Sequence, residues 1–361
     1  MKAAILIPVL ANRDAVGADA LAMMRLLEAR GVETRMFCAG AHDVDVRTHA
    51  PEKLAAFADN PDDLVIYHFS TGWPKANELL ARSKAFRVVK YHNITPPRFF
   101  TSVSKEYEQA CIGGRAEIAS MAALGCELYL GDSAYNLEEL IDAGVPRERG
   151  TVLPPFHRIE ELIASEADAA VLDELGDGVR NFLMVGRIAP NKGHVDLVDA
   201  FATYLQASAE PARLVLLGKI DPRLEAYTNA VRTRIARYGI ERRVRWFNGA
   251  SEAQLKAAYL ASHVFMLLSA HEGFCVPLVE AMAIGTPIVA RAATAVPETL
   301  GCAGIGWNSA DPALYAASAA RVFADASFRN GMREAGMHRF RTQFARDVLQ
   351  SRFFDIIEGA R

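Results

Sequence analysis

Short apolar runs alternate with amphipathic helical stripes along most of the 361-residue chain. That alternation predicts βα units around a parallel sheet, because parallel strands need a crossover and the crossing helices cover the sheet faces. In the first half the spacing predicts strands at Ala3–Val9, Thr34–Cys38, Leu64–Tyr67, Arg87–Tyr91, Leu128–Leu130 and Thr151–Leu153. Between the first two, Leu21, Met24, Leu27 and Ala29 share one stripe of a helix over Ala18–Arg30. Pro154 and Pro155 end the series, and an acidic, alanine-rich segment (Glu160–Gly178) follows.

The second half repeats the pattern, with strands predicted at Asn181–Val185, Arg213–Leu217, Val244–Phe247, Val264–Leu268 and Pro287–Ala290. A long helical stretch with few breakers runs from Asp311, and its amphipathic part Met337–Ile357 carries Phe340, Phe344, Val348 and Phe353. The expected organisation is α/β: a first Rossmann-like domain over 1–160, a linker over 161–178, a second such domain over 179–336, and a terminal helix over 337–361. Two doubly wound domains facing each other across a cleft are expected, with ligands beyond the carboxyl ends of the strands.

Composition narrows the partners. A formal net charge of -3 offers no basic surface to a nucleic-acid backbone. Cys38, Cys111, Cys126, Cys275 and Cys302 are scattered and odd in number, which fits a reducing compartment better than a disulfide framework or a zinc knuckle. The N-terminal apolar run is too short for a signal peptide, and no stretch reaches the roughly 18 apolar residues of a membrane span. A cytoplasmic protein is expected.

Four segments follow predicted strands and carry chemistry. His271-Glu272-Gly-Phe-Cys-Val-Pro-Leu-Val-Glu280 follows Val264–Leu268, with Pro277 suited to the first turn of a helix. The amides of Gly273, Phe274, Cys275 and Val276 then lie at a helix N-terminus, which favours phosphate. Glu280, a turn further on, is placed to accept from two ribose hydroxyls; two solvated carboxylates beside a buried helix are the alternative. Val185-Gly186-Arg187-Ile-Ala-Pro-Asn-Lys192-Gly193 puts two cations on a glycine-bounded loop, suited to a diphosphate. His68 and His92 end the third and fourth strands, where either a cleft-facing hydrogen bond or a structural role fits. In Asn12–Asp19 only Gly17 allows close backbone approach, and Ser133 fits a helix N-cap. Asp43-Val-Asp45 lacks supporting context for a metal site, and the aromatics of Pro96–Phe100 suit either an acceptor groove or burial.

The Glu272/Glu280 spacing resembles the E-x7-E motif of retaining glycosyltransferase family 4, and the Arg187/Lys192 segment is similar to that family's Gly-Arg-x4-Lys-Gly loop. Tyr91-His92-Asn-Ile-Thr-Pro, Pro297-Glu298 and Gly301-Cys-Ala-Gly304 extend the likeness, while a family Gly-Gly pair is reduced here to Gly17. The resemblance implies a GT-B fold, with a terminal helix that crosses back to the first domain. It also implies a metal-independent, retaining transfer of a hexose from a UDP- or GDP-sugar to a saccharide or lipid-linked acceptor, with no cofactor and no metal. Glu272, His92, Arg187 and Lys192 would then be catalytic, with Gly17, Gly273, Phe274, Cys275, Val276 and Glu280 binding the donor. Surface-polysaccharide or lipopolysaccharide synthesis, with peripheral contact at the inner membrane face, follows by analogy. The same fold also accommodates a nucleotide-sugar epimerase or hydrolase, or a non-catalytic nucleotide-binding subunit.

Overall fold

The computed structural model describes residues 1–11 and 14–361. The chain divides into two compact units: Met1–Pro97 with Tyr107–Arg158 and Arg346–Arg361, and Arg98–Glu106 with Ile159–Ala345. Each is a parallel sheet covered by helices, the Rossmann-like α/β arrangement that the apolar runs predict.

Unit 1 is built on β1 (Lys2–Ala11), β2 (Glu33–His42), β3 (Thr48–His49), β4 (Leu64–Phe69), β5 (Phe86–Tyr91), β6 (Leu128–Gly131) and β7 (Gly150–Val152), in the order β3-β2-β1-β4-β5-β6-β7. All pairs are parallel. The two-residue edge strand β3 has no apolar run to announce it. β4 is buried along its whole length, as expected of a strand covered on both faces. Helix Ala15–Ala29 starts three residues earlier than predicted because Asp14 caps it, accepting from the Gly17 amide at 2.6 Å.

Unit 2 holds β8 (Arg180–Val185), β9 (Ala212–Leu217), β10 (Val244–Phe247), β11 (Val264–Leu267), β12 (Ile288–Arg291) and β13 (Gly304–Trp307), ordered β10-β9-β8-β11-β12-β13. β13, which is not among the strands predicted from sequence, pairs with β12 along its length. Gly304 is needed there, since a Cβ on it would lie 2.7 Å from the Ile288 carbonyl oxygen.

The segment read as a linker is structured. Helices Ile159–Ala164 and Ala169–Leu175 bury Ile159, Val171 and Leu175 in the core of unit 2, and Asp168 caps the second by accepting from the Val171 amide. The long stretch from Asp311 resolves into helices Pro312–Ala324, Ala326–Arg339 and Arg346–Ala360, with a π-helical turn at Phe340–Phe344. Ala345, with ψ 147°, interrupts it, so Met337–Phe344 stay in unit 2 and only the last helix belongs to unit 1. There Leu349, Phe353, Phe354 and Ile357 join the core, and Phe353 meets Phe156 edge-on at 6.0 Å. Among the described residues no helix is long and apolar enough to cross a membrane.

Candidate active site

In unit 2 the strand order reverses between β8 and β11, and the crevice outside the carboxyl ends at such a point is where doubly wound sheets bind ligands. β8 runs into Gly186 and Arg187 and then a 3-10 turn, Pro190–Lys192. β11 runs into His271–Cys275 and helix Val276–Ile284. Backbone and side-chain bonds lace the two loops. The amides of Ala270 and His271 donate to the Asn191 carbonyl at 2.8 and 3.3 Å, and Asn191 Nδ2 donates to the His271 carbonyl at 3.2 Å. Gly193 makes the approach possible. Its φ is +68°, and a Cβ there would lie 2.0 Å from the Leu268 carbonyl oxygen.

The lacing brings the predicted charges together. Lys192 Nζ donates to both carboxylate oxygens of Glu272, at 2.8 and 2.7 Å. Burial works against the ammonium charge, yet Glu272 outweighs it and raises Lys192 above its ordinary value. Arg187 occupies the exposed part of the same loop, and its charge is felt at Lys192. Thr294, absent from the sequence-based candidates, holds the Glu272 backbone. Its hydroxyl donates to the Glu272 carbonyl at 2.7 Å and accepts from the Glu272 amide at 2.8 Å.

Helix Val276–Ile284 begins at the Lys192–Glu272 pair. Its first turn has no side-chain cap, and Pro277 removes one donor, so Cys275 and Val276 present the start of the dipole without a competing side-chain acceptor. Cys275 holds φ +80°, a region that costs an L-residue about 1–2 kcal/mol. Burial, then the Glu272 charge, pushes its thiol well above the ordinary range, so a neutral thiol slow to alkylate is expected. Cys275→Gly should be near neutral in thermal melts, because relief of the backbone offsets the lost side chain. Cys275→Val should lower stability by about 2 kcal/mol or more. Equal melting of the two variants would show that the backbone there is unstrained. One turn on, burial pushes the Glu280 carboxyl up to about 7, against the Tyr259 hydrogen bond.

These loops fall inside a segment with known relatives. Residues 174–339 match the family Glycosyl transferases group 1. Mannosylfructose-phosphate synthase of Agrobacterium fabrum is 26% identical over 169 residues, covering 45% of this chain and 37% of that protein. MMP alpha-(1->4)-mannosyltransferase of Mycolicibacterium hassiacum is 38% identical over 112 residues, 31% of this chain and 26% of that one. The chain thus spans well under two thirds of these curated relatives. The likeness of fold is broader. The structure of Anabaena HepE in complex with UDP superposes with a TM-score of 0.77 at 16% identity, covering 99% of this chain and 100% of that chain. WaaG, a glycosyltransferase of lipopolysaccharide biosynthesis, does so at 0.73 and 14%, covering 99% and 100%. The fold is GT-B.

The group 1 match leaves unit 1 outside its bounds, and there the site residues sit in a buried charged cluster. His68 is the penultimate residue of β4, His92 follows β5, Asp132 follows β6, and Asp19 projects from helix Ala15–Ala29. His92 Nδ1 lies 3.0 Å from Asp132 Oδ2, and His92 Nε2 lies 2.9 Å from His68 Nδ1. The two imidazole planes are 13° from parallel with centroids 5.1 Å apart, so the rings meet edge to edge in an N–H···N bond of ordinary geometry. Lys90 donates to Asp132 and to the Leu153 carbonyl. Asp19 accepts from the Phe156 amide at 2.7 Å, and its other oxygen lies 3.6 Å from each histidine.

Asp19, His68 and His92 have ligand atoms within 4.8 Å of one another, but a cation there would have to displace the His–His hydrogen bond. Burial pushes Asp19 up to about 6 despite Lys90 and His92. Burial pushes Asp132 the same way, but His92 and Lys90 outweigh it and hold it below the usual carboxylate range.

The weaker sequence candidates take structural positions. The Gly17 amide is committed to Asp14, and a Cβ on Gly17 would lie 2.1 Å from the Ala11 carbonyl oxygen, so close packing against the strand end requires this glycine. Asn12 and Arg13 of the same loop lie outside the described residues. Ser133 caps its helix, accepting from the Asn136 amide at 3.2 Å. Of the Pro96–Phe100 aromatics, Phe100 is buried, and Phe99 lies 5.9 Å from the His271 ring within unit 2. Asp43 and Asp45 are both exposed.

Proposed function

We propose that this chain is a glycosyltransferase that moves a hexose from a UDP- or GDP-sugar to a saccharide or lipid-linked saccharide acceptor, with retention at the anomeric carbon. One observation carries the reading: at the topological switch point of unit 2, Lys192 meets Glu272 beside the uncapped start of helix Val276–Ile284. The group 1 match over this segment supports it, as do relatives named as mannosyltransferases, among them O-antigen chain mannosyltransferase B of Escherichia coli. HepE, solved with UDP-glucose, is a likeness of fold consistent with such a donor.

In this reading Lys192, Arg187 and the helix amides neutralise charge that grows on the departing diphosphate. Glu272 orients the sugar, and Glu280 accepts from the ribose hydroxyls. The acceptor oxygen bonds to the anomeric carbon as the bond to the diphosphate oxygen breaks, and the acceptor proton passes to a phosphate oxygen. The side chains and the helix end supply the positive charge, so no divalent metal is required. A part for His92 asks its Nε2 to exchange His68 for a substrate hydroxyl. The enzyme would work in the cytoplasm, at the inner membrane face when the acceptor is lipid-linked.

A thermal-shift panel of UDP-, GDP- and ADP-sugars should identify a donor that raises the melting temperature, and product analysis with saccharide acceptors should then show transfer. Glu272→Gln should lose at least about 100-fold in kcat/KM by weakening both the sugar contact and the hold on Lys192. Undiminished transfer by that variant would refute the assignment. Incubation without acceptor separates the rivals: rapid epimerisation or sugar release marks the epimerase or hydrolase.

A further inference from the structure

The Glu280 carboxylate has its two oxygens in different situations. Tyr259, on helix Glu252–Ala261, is 1% exposed, and its hydroxyl lies 2.8 Å from Glu280 Oε2 and 3.1 Å from the Pro277 carbonyl oxygen. A phenol carries one proton, and the carboxylate is both the nearer and the more basic acceptor. The phenol is itself fixed. Thr286 Oγ1 donates to the Tyr259 carbonyl at 3.2 Å, and the ring packs 6.0 Å from Phe265 of β11. A rigid donor on one oxygen fixes the plane of the carboxylate and leaves Oε1 to face a ligand. We propose that Tyr259 is the positioning residue for Glu280 in recognition of the vicinal diol of the nucleotide ribose. This inference rests on the glycosyl-transfer reading above.

The arrangement carries a pH signature. The titratable groups coupled to Glu280 are Tyr259 and the Cys275 thiol, both neutral near pH 7, so burial is opposed only by the phenol hydrogen bond. An ionised Glu280 accepts two diol hydroxyls; a protonated one loses much of that capacity. Affinity for the nucleotide should therefore fall as pH drops through about 7.

The test is calorimetric titration of the full chain with UDP and GDP between pH 5.5 and 8.5. Wild type should bind one of them with a midpoint near 7. Tyr259→Phe should weaken that binding by about 5- to 10-fold at neutral pH, a fraction of the worth of one charge-assisted hydrogen bond because the bond lost is not to the ligand itself, and move the midpoint upward. KM for the donor should rise more than kcat falls. Should Tyr259→Phe melt early, fluorotyrosine at position 259 keeps the shape while strengthening the donor, and the midpoint should move down. Wild type that binds, with the same midpoint in either altered chain, overturns the role of Tyr259 and leaves glycosyl transfer standing. A wild-type chain that binds neither nucleotide overturns both.

Discussion

Lys192→Ala is expected to lower kcat/KM for the nucleotide-sugar by about 100- to 1000-fold, the range seen when one preorganised group facing developing charge is removed. Two losses combine. In the proposed mechanism the departing diphosphate loses one of its two cations, and Glu272, itself buried, loses the ammonium that contacts both its oxygens. Lys192→Gln keeps much of the length but not the charge, so it should fall close to alanine. Release of nucleoside diphosphate, followed at saturating and limiting donor, measures the effect, and a thermal melt separates it from unfolding. Turnover within a factor of three of wild type would remove the diphosphate cradle from the mechanism.

The largest stability effect is expected in the other unit. Lys90→Met should destabilise the fold by about 3–5 kcal/mol, because it strands one partner of a buried ion pair. Lys90 is fully buried, and Asp132 beside it is 5% exposed. Without the ammonium, Asp132 loses one of the two influences that hold it below the usual carboxylate range, and Asp19 loses the largest influence opposing its burial. Lys90→Met combined with Asp132→Asn should recover part of the loss, since it removes the stranded charge as well as its partner. Urea denaturation of the single and double variants measures both effects. A single variant within 1 kcal/mol of wild type would mean that water or protons already compensate the cluster.

Much of this was legible in the order of residues. The four consecutive apolar positions of Leu64–Tyr67, or the five of Val264–Leu268, need burial on both faces, and a parallel sheet is the arrangement that supplies it. Lys192 and Glu272 were legible because both stand just past a strand, next to glycines that let backbones approach. The misses have physical causes. β3 and β13 are too short or too glycine-rich to show a period. The alanine-rich 161–178 segment reads as a linker because alanine contributes little to an apolar stripe, although Val171 and Leu175 are enough to dock it.

Lys90 carries a further signal in the sequence. A lysine inside Phe-Arg-Val-Val-Lys-Tyr, with apolar residues before it and a predicted strand around it, must find a buried partner. Tyr259 and Thr294 offered no such anomaly. Their importance lies in which atom they touch, and side-chain reach across elements is not written in spacing. His92 was rightly placed at a strand end, yet the two groups that occupy its nitrogens come from 24 and 40 residues away.

The closeness of Gly193 to the Leu268 carbonyl has a practical meaning for anyone wishing to re-engineer these loops. Residues 186–193 and 268–276 are not separable parts, because whatever is grafted into one must still nest against the backbone of the other. If these loops hold the donor as proposed, its recognition is inherited as a matched pair, and libraries that randomise one while freezing the other would mostly sample loops that no longer nest.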